Sequence, residues 1–382
     1  MKPASEPELR RVPLEEVCLS ILASGFAKSS MDFLSKAPQP PSEDSVKAAV
    51  NVLEEVGAIE VDECTTAFSK RKERLTPLGR HLAKLPVDVR LGKMLIFGAM
   101  FRCLDQVLTI AATLSSQSPF STFMKDASVA KAKQRAFCDP DSDFVTYCNV
   151  WEAFQESSAK STGAERKFCQ ANFLNYVALR EIGDARRQFL DLLCGIGFVD
   201  RKSLVGNGNS RMDPTSLKKS IYNENSSNLD LLHAVICAGL YPNVAHLKPA
   251  TTGDYTLFYR NERLFFHNTS VNSRKKIYSD GWVVFHEKFG TPSRVSVATT
   301  CFVHPFALLL LGGSVVVRHT QRLVVVDGWI EIQMAAQIGV IMKELRKQVD
   351  ALLVKMIEKA APSETELLGT NMVKGIVDIL ST

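Results

Sequence analysis

Apolar residues recur at helical spacing in the first 90 residues. One face of a first helix carries five of them: Leu14, Val17, Cys18, Ile21 and Leu22. The same spacing marks a second helix, which Gly57 ends: Val46, Ala49, Val50, Leu53 and Val56. Residues Ala58–Asp62 then alternate between apolar and polar as a strand does, and Leu75–Gly79 leads into a further helix. Helices with a two-stranded wing predict a winged-helix domain over residues 1–88.

The middle of the chain keeps the helical period. Residues Leu91–Leu114 are apolar around most of the circumference, which predicts a helix buried on several sides. A long helix is predicted from Arg166 to Gly197, with a core stripe at Leu174, Val177, Ile182, Ala185, Phe189, Leu192 and Ile196. Loops are predicted at Ser157–Gly163 and Leu204–Ser216, and a last helix at Asn228–Gly239. We therefore predict a helical domain over residues 89–248.

After Pro249 the period switches to two. Seven short strands are predicted: Tyr255–Tyr259, Leu264–His267, Trp282–His286, Val295–Val303, Val315–Arg318, Leu323–Asp327 and Trp329–Ile332. Strands at this short, regular spacing predict a small β-barrel over residues 249–334. A helix from Ala335 to Ala361 follows, and the last twenty residues are expected to be a loosely attached tail; together they form the predicted segment 335–382. The fold class is thus multidomain α+β.

Composition and charge indicate the cellular location of the chain and its possible partners. Its 382 residues are 46% hydrophobic and 23% charged, an ordinary globular balance, and the formal net charge of +5 is a mild tilt toward polyanions. Nine dispersed cysteines form no CxxC pair, so we expect reduced thiols in a cytoplasmic or nuclear protein. The longest uncharged apolar run, Phe306–Val317, is well short of the roughly 20 residues that span a bilayer, so no membrane partner is expected.

The motifs of common enzymes are missing from this sequence. Residues Leu91–Leu95 contain a Gly-Lys pair but lack the glycine-rich turn and hydroxyl of a phosphate loop, and Asp62–Thr65 lacks the final histidine of a DExH box. His286 and Glu287 supply only half of a zinc-binding HExxH motif. We therefore predict no catalytic residue, no metal site and no cofactor in this chain, and no ATPase activity by itself.

Three segments resemble the C-terminal region of DEAH/RHA-type ATP-dependent RNA helicases. Residues Leu75–Asp88 with Leu91–Leu95 are similar to the family's junction between winged helix and helicase-associated (HA2, ratchet) domain. Residues Ala238–Ala245 resemble the end of the ratchet domain, and Trp282–Phe289, Ser293–Val295 and Pro305–Gly313 resemble its OB-fold, a small nucleic-acid-binding barrel. The likeness covers roughly residues 8 to 345 and is nearest to the RHA-like branch. One departure is His267–Val271, where the family has His-Pro-Ser-Ser-Val.

The resemblance implies a function. In this family two RecA-like domains hydrolyse ATP with Mg²⁺, while the accessory domains hold single-stranded or structured RNA. We expect the motor motifs to precede residue 1, with the RecA core as a partner in cis. The alternative is a protein-interaction scaffold, in which the OB-fold and terminal helix dock a helicase activator or a ribonucleoprotein. The acidic second helix of the winged helix carries the wrong charge to read DNA, and agrees with a structural hinge.

Candidate RNA-binding residues lie on two elements. On the long helix they are Asn172, Arg180 and Arg187, although Asp184 and Asp191 stand at spacings that also permit a solvated ladder of ion pairs. In the barrel they are His267, Ser270, Lys288 and Arg294, which are expected to cluster at strand ends. Arg186 lies nearer the apolar stripe, and we predict that it packs internally.

Overall fold

The computed structural model describes most of the chain and divides it into two compact units. The described residues are 8–62, 71–121, 127–158, 162–204, 214–249, 255–275, 277–291, 294–359 and 374–380. The first unit comprises residues 1–93 with 348–360, and the second comprises residues 94–347 with 361–382.

Helices dominate the first 240 residues. The first elements are α1 (Glu15–Ala23), α2 (Ser30–Leu34), α3 (Glu43–Val56), β1 (Ile59–Val61), β2 (Glu73–Leu75) and α4 (Pro77–Leu82). They are followed by α5 (Val89–Met100), α6 (Leu104–Leu114), α7 (Ala127–Arg135), α8 (Asp143–Ser158), α9 (Thr162–Asn172), α10 (Tyr176–Gly195), α11 (Pro214–Lys218) and α12 (Leu229–Leu240).

Strands dominate the remainder. They are β3 (Val244–Pro249), β4 (Tyr255–Tyr259), β5 (Glu262–Phe266), β6 (Gly281–Thr291), β7 (Arg294–Val303), β8 (Val315–Arg318), β9 (Leu323–Val326) and β10 (Ile330–Gln333). Helices α13 (Pro305–Leu311) and α14 (Ala336–Lys359) accompany them. No helix among the described residues is long and apolar enough to cross a membrane.

The first unit has the predicted winged-helix elements. Strands β1 and β2 pair antiparallel, with Ile59 opposite Leu75. All five predicted apolar positions of α3 are buried, and Ser42 caps the helix by accepting a hydrogen bond from Ser45 N. Gly57 ends α3 at φ 81°, a left-handed conformation that glycine adopts without steric cost.

A buried arginine joins three helices of the second unit. The Arg186 guanidinium on α10 donates to the Asp105 carboxylate at 2.5 Å and to the Asp105 carbonyl at 2.6 Å. It also contacts Thr109 of the same helix, α6, and lies 5.0 Å from the ring centre of Trp151 on α8. A buried cation needs such partners, and the prediction that Arg186 packs internally is confirmed.

Five strands of the second unit close into a barrel. Their order is β3-β4-β5-β7-β6, with β5 and β7 parallel and the other pairs antiparallel, a closed five-stranded barrel consistent with the expected OB-fold. Its core is formed by seven buried residues: Ala245, Leu247, Leu257, Leu264, Val283, Phe285 and Val297.

Two features of the β region differ from the prediction. Strand β3 ends at Pro249 and was not predicted, because Val244, Ala245 and Leu247 are all buried and leave no clear alternation to detect. Strands β8, β9 and β10 lie outside the barrel and form a separate antiparallel sheet in the order β10-β9-β8.

The predicted long helices are interrupted. The helix expected over 166–197 is α9 and α10, because Phe173 takes φ 56° and the Asn175 side chain caps α10 by accepting from the amides of Val177 and Ala178. The stretch 91–114 is likewise divided between α5 and α6 at Arg102, which has φ 60°.

Of the two predicted loops, residues 159–161 and 205–213 lie outside the described residues, while 157–158 are part of α8, 162–163 of α9 and 214–216 of α11. Residues 360–373 also lie outside the described residues. Residues 374–380 are helical, with Ile376 and Leu380 buried, so the expectation of a loosely attached tail is wrong for this part.

Candidate nucleic-acid interface

A cleft of about 900 Å³ lies between the helices and the barrel of the second unit. Its helical wall comes from the segment after α6, from α7, and from the start of α8. Its barrel wall comes from the loop after β5 and from parts of β6 and β7. The lining includes four long cationic side chains: Lys131, Arg135, Arg274 and Arg294.

Helix α7 supplies two of these cations. Lys131 and Arg135 are four residues apart, so they share one face of the helix, and both are exposed. Ala130 is buried and anchors the helix, while Gln134 donates from Nε2 to the Phe173 carbonyl at 3.1 Å. Neither Lys131 nor Arg135 forms an ion pair with another described residue, so both charges are available to an anion.

The barrel wall supplies the other two cations. Arg274 follows the loop after β5 and donates from Nη2 to the Asn268 carbonyl at 3.4 Å. Arg294 is the first residue of β7, and its guanidinium lies 5.0 Å from the ring centre of Phe265. Glu287 is the exposed acid of the lining.

Asp143, at the first turn of α8, fixes the barrel wall to the helices. Its carboxylate accepts hydrogen bonds from Ser270 Oγ (2.7 Å), Val271 N (2.9 Å) and Thr300 N (2.8 Å). Burial raises the pKa of this carboxyl, whereas the hydrogen bonds from Thr300, Val271 and Ser270 act in the opposite direction. The group therefore holds the loop after β5 in place rather than presenting charge to the cleft.

Three of the predicted barrel residues lie at or beside the cleft. Arg294 and Ser270 are part of its lining. Ser270 is only 1% exposed and its hydroxyl is bonded to Asp143, so it anchors the loop from inside. The His267 ring lies edge-on to Phe289 at 4.9 Å, and its Nδ1 is 2.7 Å from Thr269 Oγ1.

Lys288 lies elsewhere. It lies within β6, three residues before the strand ends. It pairs with Glu262 and places its Nζ 5.2 Å from the ring centre of Tyr259. RNA contact at this position would compete with that ion pair.

The predicted residues of α9 and α10 do not line the cleft. Asn172 donates from Nδ2 to the Phe168 carbonyl at 2.9 Å. Arg180 lies 3.7 Å from Glu165 on α9, and Arg187 pairs with Asp184. The ion-pair alternative thus describes Arg187 well, while the partner of Arg180 comes from the neighbouring helix.

Sequence reasoning missed Lys131, Arg135 and Arg274. A signal was present for the first two, because residues 115–142 are rich in serine and lysine, and Lys131 and Arg135 are spaced by one helical turn. Arg274 carried no comparable signal, since its place on the cleft wall depends on the loop that Asp143 holds.

The described parts of the chain contain no group of three or more His, Cys, Asp or Glu residues that could hold a metal ion. Burial raises the pKa of the Cys18 and Cys103 thiols to about 12, so both are protonated and unreactive near neutral pH.

Four family models match the chain in succession. The helicase-associated (HA2) winged-helix model matches residues 49–87, and the HA2 ratchet-like model matches 88–147. The oligonucleotide/oligosaccharide-binding (OB) fold model matches 232–315, and the model of the C-terminal domain in RNA helicases matches 322–382.

Curated relatives agree with these matches. The chain is 36% identical to the ATP-dependent RNA helicase dhx29 of Xenopus laevis over 98% of its own length and 26% of the relative's. It is 36% identical to the DExH-box ATP-dependent RNA helicase DExH1 of Arabidopsis thaliana, and 34% identical to the human ATP-dependent DNA/RNA helicase DHX36, over 98% of this chain and 35% and 36% of those proteins. The chain thus spans between about a quarter and about a third of these relatives. It belongs to the DEAH/RHA-type ATP-dependent RNA helicases, and corresponds to their C-terminal winged-helix, HA2 and OB-fold region.

Proposed function

We propose that this chain holds single-stranded RNA in the cleft between its helices and its barrel, as the accessory region of an ATP-dependent RNA helicase. The observation that carries the proposal is the convergence of Lys131, Arg135, Arg274 and Arg294 on one cleft from two walls. Cationic grooves that follow a phosphate backbone are the general means of binding single strands without sequence preference.

The composition of the cleft supports this choice of ligand. Its cations come from separate elements, α7, the segment after β5 and β7, so they can contact successive phosphates of an extended strand. Asn268, Thr269 and Ser118 add polar groups that can bind sugar hydroxyls or base edges. Hydrolysis of ATP is assigned in this proposal to a RecA-like core in cis, in keeping with the names of the relatives.

Salt dependence of RNA binding tests the proposal. We expect the double variant Lys131→Ala/Arg135→Ala to bind labelled single-stranded RNA more weakly than the parent chain. The plot of log binding constant against log salt concentration has a negative slope. It should become less steep by about 0.7 for each phosphate that the variant no longer neutralises. Fluorescence anisotropy over a salt series gives both quantities.

The matched control removes the same charge from α14. Lys343 and Lys355 are exposed on that helix and do not line the cleft. If Lys343→Ala/Lys355→Ala lowers affinity and slope as much as the α7 variant, binding is diffuse and the cleft is not the site.

A second proposal rests on the exposed apolar residues of α14. Ile338 and Ile341 stand on one side of this helix and are both exposed, which favours a scaffold that docks a helicase activator or a ribonucleoprotein. Ile338→Ser/Ile341→Ser should then abolish capture of a protein partner in a pull-down and leave RNA affinity unchanged. Equal capture by parent and variant would remove this second proposal.

A further inference from the structure

The outer face of the barrel carries an aromatic row beside the cleft. Phe265 of β5 and Phe289 of β6 both stand opposite Ser296 of β7. Leu264, next to Phe265, and Val297, next to Ser296, belong to the barrel core. Because side chains alternate along a strand, Phe265 and Ser296 face outward, and so does Phe289, which pairs with Ser296. Phe289 is 41% exposed, and the His267 ring supports its edge.

Two arginines flank this row. Leu264 pairs with Val295 in the parallel β5–β7 ladder, which places Arg263 next to Arg294. Their guanidinium groups lie 5.1 and 5.0 Å from the ring centre of Phe265, within the range of cation–π attraction. Neither group forms an ion pair with a carboxylate of the described residues. Like charges on neighbouring strands repel each other, and a bound anion between them would remove that cost.

Gly290 allows the close approach of β6 and β7 at this end. It takes φ 147°, and a Cβ there would lie 2.2 Å from the Arg294 carbonyl oxygen. Only glycine fits such a position. The glycine therefore helps to keep Phe289 and Arg294 near each other.

The aromatic row is continuous with the cleft. Arg294, Phe266 and Ser273 line both the cleft and a recess of about 210 Å³, whose other lining residues include Arg263 and Phe265. A strand leaving the cleft past Arg294 thus meets Arg263 and the exposed ring of Phe289 on the same face.

We propose that this face is a stacking subsite for one unpaired nucleotide of the RNA strand where it leaves the cleft. Phe289 stacks against the base, and Arg263 and Arg294, held on Phe265, bind the flanking phosphates. Every base has a π face, so the subsite does not select sequence. The inference rests on the proposed function, since it extends the path of the strand that the cleft holds.

Binding of two ligands with equal length and charge distinguishes the contribution of base stacking from that of phosphate contacts. One is a single-stranded RNA, and the other is an abasic oligomer with the same number of phosphates. Phe289→Ala should lower affinity for the RNA between about 5-fold and 150-fold, the range for removing one stacked base, and leave the abasic oligomer unaffected. Arg263→Ala should weaken both ligands and reduce the salt slope by about 0.7.

The control residue is Phe33, which at 40% exposure matches Phe289 but belongs to the first unit. Phe33→Ala should bind both ligands like the parent chain. Phe289→Tyr should restore RNA binding, and Phe289→Leu, which keeps apolar volume in the strand, should lose affinity for the RNA alone.

The outcomes are distinct. Equal loss on both ligands in Phe289→Leu means a disrupted barrel and overturns the subsite. Unchanged RNA binding in Phe289→Ala also overturns the subsite. The Lys131→Ala/Arg135→Ala variant then still tests whether the cleft binds RNA. A parent chain that binds no RNA at low salt removes the proposed function, and the subsite with it.

Discussion

Replacing Asp143 should destabilise the second unit more than replacing an exposed aspartate. In Asp143→Ala the buried amide of Thr300 and the partly buried amide of Val271 lose their acceptor. Each buried donor left without a partner costs about 1–3 kcal/mol, so we expect a loss of about 2–6 kcal/mol. The Ser270 hydroxyl is left out of this sum because it remains 2.9 Å from Thr300 Oγ1.

The asparagine variant separates two opposing effects. Asp143→Asn keeps one acceptor oxygen and should retain one of the two amide bonds, for a loss of about 1–3 kcal/mol. Burial, however, penalises the ionised carboxylate and raises its pKa. If this penalty exceeded the contribution of the hydrogen bonds, the neutral asparagine would match or exceed aspartate in stability.

Urea unfolding followed by tryptophan fluorescence measures the effect. The three tryptophans, Trp151, Trp282 and Trp329, all belong to the second unit. The order of stability should be parent, Asp143→Asn, Asp143→Ala, with Asp184→Ala at an exposed ion pair within about 0.5 kcal/mol of the parent. An asparagine variant as stable as the parent would refute the proposed role of the carboxylate.

Two further predictions concern stability. Arg186→Met leaves the largely buried Asp105 carboxylate without its cation and should cost about 3–5 kcal/mol in the same urea assay; a loss below about 1 kcal/mol would contradict the buried pair. In the first unit, burial lowers the pKa of His81 below its ordinary 6.5, so the neutral ring is favoured, with Nε2 donating to the Ile357 carbonyl at 2.8 Å. The stability that His81 contributes is therefore fully present above pH 6.5 and is lost as the pH falls through the lower folded pKa. Hydrogen exchange of the α4 amides should show this loss in the parent and not in His81→Gln; an equal pH dependence in both would exclude His81 as its source.

Periodicity identified helices well and their breaks poorly. The apolar stripe of α3 is correct at all five predicted positions, and the helix ends at Gly57 as predicted. The stripe predicted over 166–197 continued through Phe173. This residue has a positive φ that phenylalanine rarely adopts, so nothing in the sequence indicated the break. The buried face of α10 begins with Ala178, Leu179 and Ile182, so Val177, predicted to be in the core, is exposed.

The candidate site was harder to predict than the fold. Arg294 was identified because strand ends of a barrel expose binding residues, and it does line the cleft. Spacing along the sequence could not connect Lys131 and Arg135 with Arg294, because they are more than 150 residues apart. The packing of α8 against β7 joins the helices to the barrel wall that carries Arg294. Ser270 shows the converse error, because a polar residue in a predicted binding loop turned out to bond the buried Asp143.

Crosslinking of RNA to the intact chain would show directly whether the strand lies in the cleft. A single-stranded RNA carrying photoreactive uridines would be irradiated with the protein, and the crosslinked peptides identified by mass spectrometry. We expect crosslinks within residues 116–138 and 266–299, from both walls of the cleft, and their loss in Lys131→Ala/Arg135→Ala. Crosslinks confined to the Arg180 and Arg187 face of α10, or to α14, would show that the RNA does not bind in the cleft.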